Sequence, residues 1–211
     1  MHLTRTSARS SIGFMKDLSS AKPVTKVQTQ ILSATLLLFT RKGYFNTSIH
    51  DIVRESGISV GSMYHHFRDK EGVASALYSN LLERMTAELT NIMKQHTSAH
   101  DRCRAVIGLL FDIAEQEPEV MEFMLYTKHR DFLPDEIPVC SSKPFELMRK
   151  MVAQGMASEE IREMDVMVAS TCLYGGSIRM ITARLDGQLP KRLSTYMDEI
   201  WTCSWRAIAT D

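Results

Sequence analysis

Three residues, Gly57-Ile58-Ser59, separate two short segments whose apolar side chains repeat at helical spacing, and this separation constrains the chain more than any other feature. Before it, Ile49, Ile52 and Val53 mark the buried face of a helix that opens at Ser48, where Ser48-x-x-Asp51 forms a capping-box-like start. After it, Ser59 is placed to N-cap a second short helix carrying Met63, Tyr64 and Phe67. Gly57 ends the first helix in a conformation that costs glycine little. Two helices of about two turns each, joined so tightly, need a third element to cover their apolar sides. That element lies upstream. Val27, Ile31, Ala34 and Leu38 share one face of a helix starting at Thr25, with Arg41 and Lys42 in its last turn and Gly43 as its expected left-handed cap.

The pattern stays helical downstream. Helices are predicted at 71–95, with Ala74, Leu77, Leu81, Met85 and Leu89 on one face, and at 101–116, 118–130 (Pro118 at its start), 143–157 (after a Ser142 cap), 163–185 and 193–209. Pro134 and Pro138 leave 132–141 as a loop. No segment alternates with period two, so no strand is expected. The expected fold is all-α: a three-helix, helix-turn-helix domain over residues 25–70, then a helical bundle over 71–211. Residues 1–24 are rich in Ser, Thr and basic side chains with Asp17 as their one acid, and read as a disordered basic arm. A transit peptide and a translation start at Met15 are alternative readings of that arm.

Composition narrows the class. At 211 residues the chain can bury roughly 70% of its unfolded surface. Its apolar runs, such as Ala34 to Phe39 with Thr35 inside it, fall far short of the ~18 residues of a membrane span, so no membrane partner is expected. Cys103, Cys140, Cys172 and Cys203 form no CxxC pair, and reduced thiols in a cytoplasmic protein are expected. The net charge of zero is unevenly spread: residues 1–72 hold ten Lys and Arg against five Asp and Glu, and the remainder fifteen against twenty. A basic end on an acidic body suits an anionic partner at that end.

Three motifs suggest other chemistry. Gly57-Ile58-Ser59-Val60-Gly61 is a literal G-x-S-x-G, but a nucleophile elbow requires a strand before its serine, and a helix is expected there. His96, His100 and Cys103 have a spacing that could present three metal ligands on one helical face, unless Thr97 and Ser98 break that face as caps. Asn46-Thr47-Ser48 fits a glycosylation sequon, which has no meaning without secretion. No enzyme and no cofactor is expected. A metal- or thiol-dependent enzyme and a helical protein-interaction module are the alternatives to the reading that follows.

Residues 47–70 agree on nucleic acid. Thr47 and Ser48 stand at a helix N-terminus, where free N–H groups favour phosphate. Ser59, Val60, Ser62 and His65 are expected to face outward, with Gly61 and Ser62 small enough for close approach to base edges. Tyr64, His65, His66 and Lys70 offer donors, Tyr64 and Lys70 toward phosphates and Ser62 and His65 nearer the bases. Ile31-Leu32-x-Ala34, Leu38-Phe39, Gly43-Tyr44, Thr47-Ser48-Ile49, Asp51-Ile52, Gly57-Ile58-Ser59-x-Gly61 and Met63-Tyr64-x-His66-Phe67-x-Asp69-Lys70-Glu71 follow in order. This run, about residues 26–75, closely resembles the DNA-binding domain of the tetracycline-repressor (TetR) family of bacterial transcription regulators. Ser56 departs from it, standing where alanine is common before the glycine. The resemblance implies a homodimeric regulator, most simply a repressor of a palindromic operator, whose bundle binds a small effector and then releases double-stranded DNA.

The remaining chain resembles that family only in pattern. Its methionines and aromatics suggest an apolar or planar effector, with Met121, Met124, Tyr126, Phe145, Met148, Cys172 and Tyr174 as candidate pocket residues; side chains at such spacing also suit an ordinary core. A dimer interface is expected on the last two helices, from Gly175 and Gly176, which allow close helix approach, and from Met197, Ile200, Trp201 and Ser204 along one stripe.

Overall fold

The computed structural model describes residues 25–210, and the arm expected at 1–24 lies outside the described residues. Nine α-helices follow one another there: α1 (Lys26–Lys42), α2 (Ile49–Ser56), α3 (Val60–Phe67), α4 (Lys70–Gln95), α5 (Ala99–Gln116), α6 (Pro118–Tyr126), α7 (Lys143–Ala157), α8 (Val166–Leu185) and α9 (Met197–Arg206). Short 3-10 turns occupy His129–Asp131, Val139–Ser141 and Leu193–Tyr196. The sole strand-like feature among the described residues is an isolated bridge between Ile161 and Ala209. The all-α expectation holds.

Side chains fix the helix starts. Thr25 and Gln28 form a reciprocal capping box on α1, and Ser48 and Asp51 form one on α2, so two otherwise orphan N–H groups are satisfied at each start. Helix α5 opens at Ala99, two residues earlier than predicted. Ser98 caps it, and the Glu160 carboxylate accepts from the N–H groups of Ala99 and His100 at 2.8 and 3.0 Å.

Four further boundaries differ from expectation. Gly43 has positive φ but ψ 160°, so the chain leaves α1 extended rather than in the left-handed turn. Helix α6 stops at Tyr126 instead of residue 130, because the backbone tightens into a 3-10 turn that buries His129, Phe132 and Leu133. Helix α8 begins at Val166, where Asp165 accepts from Met167 and Val168 N–H; residues just before it run extended beside the C-terminal segment, Arg162 N–H donating to Ile208 O at 2.9 Å. The predicted helix 193–209 opens as a 3-10 turn and ends at Arg206.

The chain forms two compact units, the first comprising residues 25–80 with Tyr126–Glu136, the second Leu81–Leu125 with residues 137–210. The first therefore takes in the start of α4 and a later segment, where a boundary after residue 70 was expected. In it α1 packs on α2 and α2 on α3, around Ile31, Leu32, Leu38, Phe39, Ile52, Met63, Phe67, Val73 and Leu77.

In the second unit α5, α7, α8 and α9 pack together around Cys103, Val106, Ile107, Met151, Leu173, Ile181, Trp201 and Ile208. It also holds a buried ion pair: Arg84 on α4 donates to both carboxylate oxygens of Glu117 at 2.9 and 3.1 Å. Burial pushes the Glu117 carboxyl up to about 7 against the pull of Arg84, and lowers the Arg84 guanidinium to about 9. Removing one partner strands the other charge. Arg84→Met should cost about 3–5 kcal/mol in urea unfolding, while the Arg84→Met, Glu117→Leu double variant should recover most of that loss.

Candidate nucleic-acid interface

The turn between α2 and α3 has the geometry its sequence implies. Gly57 adopts φ 68°, ψ 13°, and its N–H donates to Val53 O, which ends α2. Ser59 then restarts the helix, its hydroxyl accepting from Ser62 N–H at 3.2 Å. The preceding element is a helix and the serine oxygen serves as a cap, so Gly57–Gly61 is no nucleophile elbow.

Helix α3 divides cleanly into two faces. Met63 and Phe67 point into the core. Val60, Gly61, Tyr64 and His65 are exposed, at positions i, i+1, i+4 and i+5 of one helical face. Arg68 continues that face past the helix end, in a positive-φ conformation (φ 63°) unusual for a side chain of its size. Ser62 and His66 are half-buried on the flank, with the His66 ring tilted 6.2 Å from Phe67 and 5.1 Å from His65. Ser48 is exposed at the α2 start, its hydroxyl and N–H both engaged with the Asp51 carboxylate. These bonds, with Lys42 and Arg54 nearby, hold the Asp51 carboxyl down at about 2.

Two residues expected on phosphates turn inward instead. Thr47 is 1% exposed and its hydroxyl donates to Gly43 O at 2.9 Å. The Lys70 ammonium donates to Tyr44 O and Thr47 O, both at 3.0 Å, and lies 4.1 Å from the centroid of the Tyr44 ring; burial lowers its pKa. With both carbonyls and the ring engaged, Lys70 clamps the turn between α1 and α2. Two exposed residues escaped the sequence reading. Arg68 was detectable as a cation one residue past the helix, whereas Phe45, 70% exposed, had no sequence signal.

The other expected sites fare unevenly. Met121, Met148 and Tyr174 are buried in the second unit, and Met124 and Phe145 half-buried. Tyr174 lies beside the Cys103 thiol, which burial pushes up to about 11. Tyr126 is exposed and belongs to the first unit, and Cys172 is exposed, because residues 172 and 174 point to opposite sides of α8. These two do not line a common interior with the rest. Nor is the α9 stripe an outer surface. Trp201 is 4% and Ser204 5% exposed; the Trp201 indole donates to His100 Nε2 at 3.2 Å and stacks on Trp205 at 5.2 Å. The stripe covers its own bundle, with Met197 and Ile200 half-buried at its edge. A Cβ on Gly176 would meet Ile200 at 3.1 Å, so that glycine lets α9 approach α8. Gly175 is half-buried and Gly176 exposed. His100 is committed to Trp201 and Asp101 while Cys103 is buried, so the His96, His100, Cys103 metal spacing is not realised; no metal-binding cluster occurs among the described residues. No described helix is long and apolar enough to cross a membrane.

A short helix presented by a Gly turn on a three-helix core, followed by a helical bundle, defines a helix-turn-helix protein. Residues 31–77 match the model of the bacterial regulatory proteins of the tetR family. Over this domain the chain is similar to the tetR family. It is 34% identical over 101 residues to the HTH-type transcriptional regulator HbdR of Aromatoleum sp. (strain CIB), covering 43% of this chain and 44% of HbdR. Matches to the curated relatives thus span about half their length or less. The fold extends further. A TetR family transcription regulator from Marinobacter aquaeolei VT8 superposes with a TM-score of 0.72 at 18% identity over 88% of this chain and 96% of that one. FadR from Bacillus subtilis, solved in complex with stearoyl-CoA, gives 0.70 at 17% identity over 83% and 96%.

The clamp yields a direct expectation. Lys70→Met keeps the stem and removes the charged donors, so the first unit should lose about 1–2 kcal/mol of stability in denaturant titration. An unchanged midpoint would leave the ammonium without a structural role.

Proposed function

We propose that the chain is an effector-responsive transcription regulator, cytoplasmic and not an enzyme, that binds palindromic double-stranded DNA as a homodimer and acts as a repressor released by a small molecule. One observation carries this reading: α3 presents Val60, Gly61, Tyr64, His65 and Arg68 outward from a helix whose other side is locked by Met63 and Phe67. Val60 and Gly61 allow the helix to sit deep in a major groove, Tyr64 and His65 offer donors to bases and backbone, and Arg68 suits a phosphate. The curated relatives are HTH-type transcriptional regulators. FadR with stearoyl-CoA favours an effector with a long apolar part, and Met121, Met148 and Tyr174 are the residues proposed to meet it, with Met124 and Phe145 at the margin.

The dimer is proposed on α8 rather than on the α9 stripe. Met167, Val168, Thr171, Cys172 and Gly176 are exposed along one side of that helix, an uncharged surface with Met167 and Val168 58% and 50% exposed. Pairing across a two-fold axis covers it, and a two-fold dimer supplies one α3 helix for each half of an inverted repeat. Val168→Glu should give folded monomers in sedimentation at micromolar concentration; a persistent dimer would move the interface elsewhere.

Selecting duplexes from a random pool with the purified chain tests the central claim. Enrichment of an inverted repeat, with an affinity that falls steeply as salt rises, is the expected outcome. Tyr64→Ala should weaken binding to the selected duplex about tenfold or more, and Lys70→Met should leave the salt slope unchanged because its ammonium meets carbonyls, not phosphates. Failure to retain any duplex at low salt would overturn the reading.

A further inference from the structure

The turn that leads into α2 is held from both sides, and one of its holders comes from far along the chain. Tyr44 lies between Lys70 and Phe132. The Tyr44 and Phe132 rings stack with centroids 4.1 Å apart and planes 11° from parallel. Phe39 and Phe45 meet the Phe132 ring edge-on at 6.3 and 6.5 Å. Phe132 is 7% and Leu133 3% exposed, so the ring is a core side chain of the first unit. Its neighbours are tied down as well: the Ser75 hydroxyl donates to Glu136 at 2.5 Å, and the His129 ring sits 4.8 Å from that of Tyr78. Tyr126–Glu136 belongs to the first unit while the residues on either side of it belong to the second. It also lies outside residues 31–77, the part that matches the family model.

Backbone geometry makes this consequential. Tyr44 O accepts from both Lys70 and Thr47 N–H, and Ser48 caps α2 four residues after Tyr44. Gly43, with φ 80°, gives the turn a soft hinge on its other side. Rotation of the Tyr44 peptide would release the Lys70 clamp and let the start of α2 swing. The ring stack opposes that rotation, because moving Tyr44 uncovers the face of Phe132. We propose that Phe132 is a positioning residue for DNA binding: by stacking on Tyr44 it fixes the Gly43–Ser48 turn, and the strap Tyr126–Glu136 is an integral part of the DNA-binding unit. Its DNA arm rests on the function proposed above; its structural arm does not.

The test uses the full chain with Phe132→Ala, Phe132→Leu and Phe132→Tyr. Hydrogen exchange should quicken about tenfold at amides 44–51 in Phe132→Ala, stay at the wild-type rate in Phe132→Tyr, and be unchanged across α5 and α8 in both. Affinity for the duplex selected by the wild-type chain should fall about tenfold in Phe132→Ala and Phe132→Leu and be retained in Phe132→Tyr, with an unaltered salt slope because no phosphate contact is lost. If Phe132→Ala fails to fold, Phe132→Leu, which keeps most of the buried volume, carries both measurements. Wild-type exchange at 44–51 in Phe132→Leu, or binding by Phe132→Leu as tight as by Phe132→Tyr, would overturn the proposal by showing that any apolar side chain suffices. If the wild-type chain selects no duplex, the exchange measurement alone decides whether Phe132 fixes the turn.

Discussion

The Lys70 ammonium, donating to the carbonyls of Tyr44 and Thr47 and lying over the Tyr44 ring, is the interaction on which the first unit depends. It ties the start of α4 to the turn between α1 and α2 and so closes the three short helices into one body. The eight-residue α2 and α3 are too short to persist alone in water. The clamp also satisfies the Thr47 carbonyl in a partly buried turn and gives the Tyr44 carbonyl a second donor beside Thr47 N–H. A lysine suits the task because its three donors sit on one point charge, and its apolar stem covers the aromatic ring beneath. Gly72, whose added Cβ would collide with the Phe67 carbonyl, allows α4 to begin this close to the end of α3.

What could be read from the sequence follows the range of the interactions. Capping boxes at Thr25/Gln28 and Ser48/Asp51 act over three residues, as does the Gly57 turn, and each is visible in the residues themselves. So is the inward face of α3, since Met63 and Phe67 are four apart. Lys70 was misread because its partners lie more than twenty residues away; a lysine near a helix-turn-helix looks like a phosphate ligand until its carbonyls are located. Trp201 was misread for the mirror reason. An apolar stripe announces burial but not what buries it, and the partner that decides the matter, His100, is a polar residue on another helix. Phe132 had no legible role at all, since a phenylalanine two residues before a proline, at the start of a stretch with two prolines, reads as loop.

The second unit shows how a helical bundle satisfies its own core and helix ends internally. Helix α9 spends its apolar side on α8 and α5, and Glu160 spends its carboxylate on the α5 N-terminus, where it offsets the helix dipole. Glu115 accepts from Arg184 and from the Leu193 N–H, which joins the end of α8 to the turn before α9. With these contacts satisfied internally, the exposed Met167, Val168 and Cys172 on α8 stand out as apolar groups that no side chain of the same unit covers. This is the surface on which the dimer is proposed.

Charge at the α2 start narrows how the proposed DNA contact could be made. A free helix N-terminus attracts phosphate through its unpaired N–H groups and its dipole. Here Asp51 already occupies that position as an ionised carboxylate, taking the Ser48 N–H and hydroxyl for itself. A phosphate approaching Ser48 would meet that negative charge, so the dipole alone does not recommend the site. Arg54 pairs with Asp51 and Lys42 stands 3.8 Å from it, and together they reverse the local sign. Positioning on the backbone then falls to side-chain cations around α2, with Arg68 at the far end of α3, rather than to the helix terminus. The outward face of α3 itself, Val60, Gly61, Tyr64 and His65, carries no permanent charge. In the proposed complex the permanent charge that holds the backbone thus lies outside the face of α3 that meets the bases.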